Sequence, residues 1–403
     1  MNRPHPRHLV AAAAVLALAV TSVVVVDLLC LGRSAEAEAG ATDGRSGGDG
    51  GEGGSRGSDT SDDSSDDTSD DTGSPAGRQP AIVLAFAGDL HFEGALAGLP
   101  GDADADLGAM ADNLRGADLA IVNLETAIVD GTVQRAPKEQ EDPGNRYWFG
   151  APPETLDLLA RSGVDVASLA NNHGADYGKI GLRAALRAEA GSDLDLVGVG
   201  RTPERAYAPH RTTIRGTDVA VIAADASPRE SADQTWAIDE GTGIGLAAAR
   251  RPRAPQLVAA VREAAAVDDV VVVYLHWGAE GRAAPTDKQQ QLAARLADAG
   301  ADVIVGSHSH VVAGAGMLGD TYVSYGLGNF AWYHGRSDGG STGVLRVRVR
   351  DGEAVKHRWW PASIPAAGGV PTRPAAAQAQ RDDVVRRWRR LGLEAGLEPL
   401  PLT

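Results

Sequence analysis

Two histidines one residue apart, His308 and His310, follow the apolar run Val303-Ile304-Val305 through Gly306-Ser307. Imidazoles at this spacing, on the loop leaving a strand, form a pincer for a metal ion. Other clusters supply the remaining ligand types: Gly88-Asp89-Leu90-His91, Asn123-Leu124-Glu125, Asn171-Asn172-His173 and His276-Trp277-Gly278. Asp89 and His91 alternate along a strand end and so can face one pocket. Glu125 offers a carboxylate able to bridge two cations, Asn172 a neutral oxygen, and His276, His308 and His310 nitrogen. Mixed oxygen and nitrogen donors suit two divalent transition-metal ions, Mn, Fe or Zn, better than Mg. Two such ions activate water near neutral pH and stabilise charge on an attacked phosphoryl or carbonyl group. His173, next to Asn172, is then available as proton donor or oxyanion stabiliser. A lone Gly-Asp or Asn-Asn pair is more often turn chemistry, and a lone histidine more often a hydrogen-bonded core or surface group. Recurrence at successive strand ends is what points to a metal site.

The elements that must carry these clusters alternate. Strand-like runs occur at Ala81–Ala87, Ala117–Val122, Val164–Leu169, Leu196–Val199, Val219–Ala223, Val270–Leu275 and Val303–Val305. Helical patterns separate many of them, near Leu107–Leu114, Glu154–Ser162, Leu182–Glu189, Leu257–Ala265 and Lys288–Ala299. Such alternation predicts a mostly parallel sheet with helices on its faces, whose ligands sit beyond the carboxyl ends of the strands. Every cluster lies at such an end. Tyr322–Tyr325 and Leu345–Val349 are expected to form a second sheet. The fold class is therefore α/β, with a catalytic domain over 80–365.

The flanks differ in kind. Arg3, Arg7 and His8 precede an apolar run from Leu9 to Leu31, long enough to span a bilayer. Its length and Val23–Val26 favour an uncleaved N-terminal anchor over a cleaved signal within 1–33, and the arginines place the following chain outside the cell. Cys30 is the only cysteine, so no internal disulfide forms. Residues 34–79 are Gly, Ser, Thr and Asp with little to bury, the composition of a disordered tether. They hold 12 acidic and 3 basic residues, which is 9 of the chain's 16 net negative charges, so the acidity is largely a tether property. Nothing in this balance supports nucleic-acid binding. The 366–403 segment reads as a tail with a helix near Asp382–Gly392 carrying Arg386, Arg387, Arg389 and Arg390, a solvated face.

Ser168-Leu169-Ala170-Asn171-Asn172-His173, Asp176-Tyr177-Gly178, His276-Trp277-Gly278, the His308-Ser309-His310-Val311 pincer and Tyr325-Gly326-Leu327-Gly328-Asn329-Phe330 occur in this order. Together they resemble the CapA family of poly-γ-glutamate capsule synthesis, within the calcineurin-like metallophosphoesterase superfamily, over roughly 82–330. The resemblance implies a four-layer α/β/β/α sandwich and a two-metal centre. By the superfamily pattern Asp89, His91, Glu125 and His310 would hold one ion, and Glu125, Asn172, His276 and His308 the other. Two departures stand out. The bridging position is Glu125 where most metallophosphoesterases have Asp, as is usual for CapA-like proteins. His91 restores an Asp-x-His pattern where such proteins commonly carry an apolar residue.

The expectation is an anchored extracellular protein handling poly-γ-glutamate or another anionic capsule polymer, with hydrolase capacity and a membrane synthase complex as partner. The alternatives are a phosphoesterase acting on a phospholipid, nucleotide or teichoic-type substrate, and a non-catalytic polymer-binding or export component. Arg282, Lys138 and Arg146 are candidates to pair with substrate carboxylates.

Overall fold

An unbroken apolar stretch with no polar interruption until Asp89 makes Ile82–Leu90 (β1) a strand with both faces covered. The computed structural model describes residues 80–401 except 139–143, 145, 229–235, 240, 242, 251–252, 336 and 373–377. The expected anchor and tether lie outside these residues, and no helix among them is long and apolar enough to cross a membrane.

The first half runs β1, α1 (Ala111–Arg115), β2 (Leu119–Leu124), α2 (Thr155–Arg161), β3 (Val166–Ser168), α3 (Gly178–Glu189) and β4 (Asp195–Val197). The second half runs β5 (His210–Ile214), β6 (Thr217–Asp225), α4 (Ala254–Ala264), β7 (Val270–His276), α5 (Asp287–Ala299), β8 (Val303–Ser307), β9 (Ala315–Leu318) and β10 (Thr321–Ser324). Then follow β11 (Asn329–Ala331), β12 (Ser341–Arg350), β13 (Glu353–Ser363) and α6 (Gln378–Glu394).

Two sheets result. The first has the order β13-β12-β1-β2-β3-β4, with β11 beside the end of β1; the second has the order β9-β10-β8-β7-β6-β5. Pairing is parallel at both centres (β1–β2–β3–β4 and β6–β7–β8–β10) and antiparallel at the edges closed by β12–β13, β9 and β5. This corrects one expectation. The division between sheets falls after β4, so Val219–Ala223, Val270–Leu275 and Val303–Val305 belong with Tyr322–Ser324 in the second sheet, while Leu345–Val349 joins the first. The β12–β13 hairpin covers the side of β1 that would otherwise expose unpaired backbone groups.

Alternation along the strands separates three cores. Ile82, Leu84 and Phe86 of β1 meet Val270, Val272 and Tyr274 of β7 between the sheets. Ala85 and Ala87 turn the other way, with Leu114, Leu156 and Leu182 of α1 to α3. Val271, Val273 and Leu275 pack with Leu257 and Val261 of α4 and Leu292 and Leu296 of α5. The layers are therefore α/β/β/α. Each fully buried branched side chain contributes about 1.5–3 kcal/mol relative to exposure. Thr286 caps α5 in a reciprocal capping box with Gln289, and left-handed Gly300 ends it.

The C-terminal segment is not a separate tail. Trp388 on α6 is 1% exposed, stacks on Trp359 at 5.8 Å and joins the inter-sheet core with Leu400. Leu397 enters the core under α4 and α5, and Met317 pairs with Glu398. Gly314 lets α6 approach closely, since a Cβ there would lie 2.0 Å from the backbone nitrogen of Gly392. The four arginines disguise an amphipathic helix whose other face carries Trp388.

Candidate metal centre

The parallel registers bring the clusters to one rim. Asp89 pairs with Asn123 and Asn123 with Ser168 across the first sheet, and His276 pairs with Ser307 across the second. Asp89, Glu125 and Asn172 thus descend from the first sheet, and His276, His308 and His310 from the second. Gly88 is required where β1 meets the 326–329 loop, because a Cβ there would sit 1.8 Å from the Gly328 carbonyl oxygen.

Asp89 is fully buried. Its Oδ1 accepts from Asn123 Nδ2 at 2.8 Å, and its Oδ2 accepts from the His308 backbone N–H at 3.1 Å and lies 3.4 Å from His310 Nδ1. Asn171 holds Asn123 in turn, donating to its Oδ1 at 3.1 Å and to the Leu124 carbonyl at 2.8 Å. Around His276 Nε2 stand Asn172 Oδ1 at 2.6 Å, His308 Nδ1 at 3.0 Å and Glu125 Oε1 at 3.5 Å. One ring nitrogen carries at most one proton, so it cannot hydrogen-bond all three neighbours. Lone pairs crowded in this way are what a cation reconciles. Ser307 Oγ lies 3.0 Å from His276 Nδ1, and Asn329 Oδ1 lies 2.8 Å from His310 Nδ1. His308 (φ 86°) and His310 (φ 56°) both occupy the left-handed region, which is costly for residues with a Cβ and is found most often at functional sites.

Glu125 is the most telling group. It is 0% exposed, and among the described residues neither of its carboxylate oxygens has a hydrogen-bond partner. Burial, then the charge of Asp89, push its pKa well above the ordinary carboxylate value. An unpartnered buried carboxylate is expensive unless a cation joins it. Three sets of side chains place ligand atoms within 4.8 Å of one another: Glu125, His276 and His308; Asp89, Glu125 and His310; and Glu280, His308 and His310. Glu125 belongs to two of them. These residues fit metal ions, by donor type and by the orphaned carboxylate they share.

Burial, then the neighbouring histidines His308 and His310, hold His276 well below the ordinary histidine value, so it is a neutral donor. Burial also depresses His310, but hydrogen bonding to Asp89 and the Asp89 charge outweigh it and its pKa is raised.

Sequence reasoning and geometry part at three residues. His91 is buried but lies outside all three sets. The ladder of β1 with β11 shifts register between Asp89 and Leu90, and that with β2 shifts between Phe86 and Asp89, so simple alternation does not hold through this strand end. The ring stacks on Phe149 at 4.4 Å, with the backbone nitrogen of Glu93 3.1 Å from Nδ1 and that of Tyr333 3.2 Å from Nε2. Lys138 is not a solvent-facing cation for substrate. It is buried, with Nζ 2.7 Å from Asp176 Oδ1 and donating to the Tyr147 carbonyl at 2.6 Å. Glu280, which the sequence motifs do not single out, stands with both pincer histidines. Arg282 is exposed two residues beyond it, and Arg146 is half-buried in the loop that carries Tyr147 and Phe149.

His173 is paired with a carboxylate. Its Nδ1 lies 2.6 Å from Asp176 Oδ2, which fixes the Nδ1–H tautomer and leaves Nε2 as the exchangeable nitrogen. Asp176 is held by Lys138 and by the Phe149 backbone N–H at 2.7 Å. Phe149 stacks on His173 at 4.1 Å. Burial lowers the His173 pKa against the opposing pull of Asp176.

Residues 83–333 match the family model described as "Bacterial capsule synthesis protein PGA_cap". Among curated relatives, the chain is 29% identical over 226 residues to the PGA biosynthesis protein CapA of Bacillus subtilis, covering 55% of this chain and 56% of that one. It is 30% identical over 218 residues to the capsule biosynthesis protein CapA of Bacillus anthracis, covering 53% and 51%. It is 28% identical over 198 residues to a probable polyglutamine synthesis accessory protein of Mycobacterium tuberculosis, covering 48% and 50%. The chain therefore spans about half the length of the curated relatives it matches. With the four-layer fold and the family model in agreement, the chain belongs to the CapA (PGA_cap) family of bacterial capsule synthesis proteins, within the metallophosphoesterase-like superfamily.

Proposed function

We propose that this chain is a membrane-anchored, extracellular accessory protein in the synthesis, export or processing of poly-γ-glutamate or a similar anionic capsule polymer, with a two-ion hydrolytic centre. The observation that carries the centre is Glu125, buried, unpartnered and common to two ligand sets. Asp89, Glu125 and His310 would hold one ion, and Glu125, Asn172, His276 and His308 the other. Bound there, such ions supply Lewis acidity and an activated water. The chain's own residues do the rest. Asn123 and Asn171 fix Asp89 and the 171–173 turn, and Asp176 orients His173 to carry a proton to a leaving group on Nε2. Arg282 and Arg146 are the cations proposed for substrate carboxylates, and Lys138 is bound to Asp176. The names of the relatives support the polymer, and the apolar run Leu9–Leu31 behind Arg3 and Arg7 supports the anchor and a synthase complex at the membrane.

The test is incubation of the purified full chain with Mn²⁺ and poly-γ-glutamate, followed by size analysis, beside a chromogenic phosphodiester. Shortening of the polymer that is lost in His173→Ala is expected. Phosphodiester cleavage alone would move the protein to the phosphoesterase class. No turnover of either substrate by metal-loaded protein would make it a binding or export component.

A further inference from the structure

The set formed by Glu280, His308 and His310 has no counterpart in the ligand assignment drawn from the superfamily pattern. In that assignment the two histidines belong to different ions. Glu280 thus stands beside a nitrogen of each pincer histidine, while Glu125 belongs to two sets on the buried side. Glu280 is exposed and Glu125 is not, so the two carboxylates approach from opposite environments.

The loop that carries Glu280 is fastened to the pincer. The Trp277 backbone N–H donates to the Ser307 carbonyl at 3.2 Å, its indole donates to the Tyr325 carbonyl at 3.0 Å, and the Gly281 N–H donates to the Ser309 carbonyl at 2.8 Å. The last bond joins the residue after Glu280 to the residue between His308 and His310. Charge argues the same way. Asp89, Glu125 and Glu280 repel one another across the cluster, and two divalent cations offset three carboxylates where one does not. The unpartnered, fully buried Glu125 shows independently that a cation is wanted here. His91, by contrast, is walled by Phe149, Trp332 and Tyr333, with a backbone amide near each ring nitrogen, of which the neutral ring can accept from only one.

We propose that Glu280 is a second carboxylate ligand of the centre, spanning the two ions from the exposed side, and that His91 is an aromatic-wall residue and not a ligand. This rests on the metal-centre reading above and adds a residue to it.

The experiment is calorimetric titration of chelator-treated full chain with Mn²⁺, with metal content measured after dialysis, for wild type, Glu280→Gln and His91→Phe. Wild type is expected to bind two ions. Glu280→Gln should bind at least one of them about tenfold or more weakly, and His91→Phe should bind both as wild type does. Equal affinities in wild type and Glu280→Gln would overturn the proposal while leaving the metal centre intact, whereas a wild type that binds no Mn²⁺ would overturn both. Loss of an ion in His91→Phe would restore His91 as a ligand. Should that variant not fold, Zn²⁺ titration of ¹⁵N-histidine-labelled wild type decides the point: unmoved His91 nitrogens support the proposal and a ligation shift refutes it.

Discussion

Glu125→Gln separates stability from function in a way that only an unpartnered, metal-seeking carboxylate permits. In the metal-free protein the wild-type carboxylate is buried without a hydrogen bond and faces Asp89. Its folded pKa is raised, so at any pH between its ordinary value of 4.5 and that raised value the folded state binds more protons than the unfolded chain. Metal-free stability therefore falls as pH rises through this window. The Gln variant lacks this slope and, without metal, should be at least as stable as wild type at pH 7.5. With metal the order reverses. At an ion concentration about one hundred times Kd, each site adds about 2.7 kcal/mol, so two sites add roughly 5 kcal/mol. For a domain of this size that raises Tm by roughly 10 °C. Glu125 serves both sites, so the variant should lose most of the rise. Calorimetric melts in EDTA and in excess Mn²⁺ measure both effects. A variant that melts well below wild type in EDTA, or that keeps the full metal-induced rise, would refute the reasoning.

Other consequences are more local. Burial, then Arg389, depress His357 from the ordinary 6.5 to about 4. As pH falls the unfolded chain takes that proton first, so about 3 kcal/mol of stability present at pH 7 is lost by pH 4. Denaturant midpoints at pH 7 and 4.5 should show this loss in wild type and a smaller one in His357→Gln. Trp388→Ala should cost about 3–5 kcal/mol in urea unfolding, because the ring fills the inter-sheet core. A cost near zero would make α6 the detached tail that its arginines suggest. Lys138→Met leaves the Asp176 charge uncompensated and should cost about 3–5 kcal/mol, much of it recovered in the Lys138→Met/Asp176→Asn double variant.

The strand ends were legible because parallel strands advertise themselves as unbroken β-branched runs, and every ligand cluster followed one. Four-layer packing came from resemblance, and its basis lies in the opposed alternations of β1 and β7. The partition of strands between sheets was not legible, since alternation says which face a residue takes and not which neighbour a strand finds. For His91, a period of two holds only while the strand continues regularly, and the ladder of β1 with β11 shifts between Asp89 and Leu90, with the His91 ring set among Phe149, Trp332 and Tyr333. Lys138 misled because its partner lies 38 residues on, in Asp176, and nothing local marks a buried lysine. Glu280 could have been noticed as a carboxylate four residues after His276 in a Gly-bounded loop, but only the Gly281–Ser309 bond ties it to the pincer. Trp388 was hidden among arginines, although its apolar neighbours on one helical face were the available signal.

The most direct test of the central claim is anomalous diffraction at the manganese edge from crystals of the full chain grown with Mn²⁺. Two peaks are expected with the Glu125 carboxylate between them, one nearer Asp89 and His310 and the other nearer His276 and His308. A single peak that Glu125 does not touch, or no peak within this cluster, would contradict it.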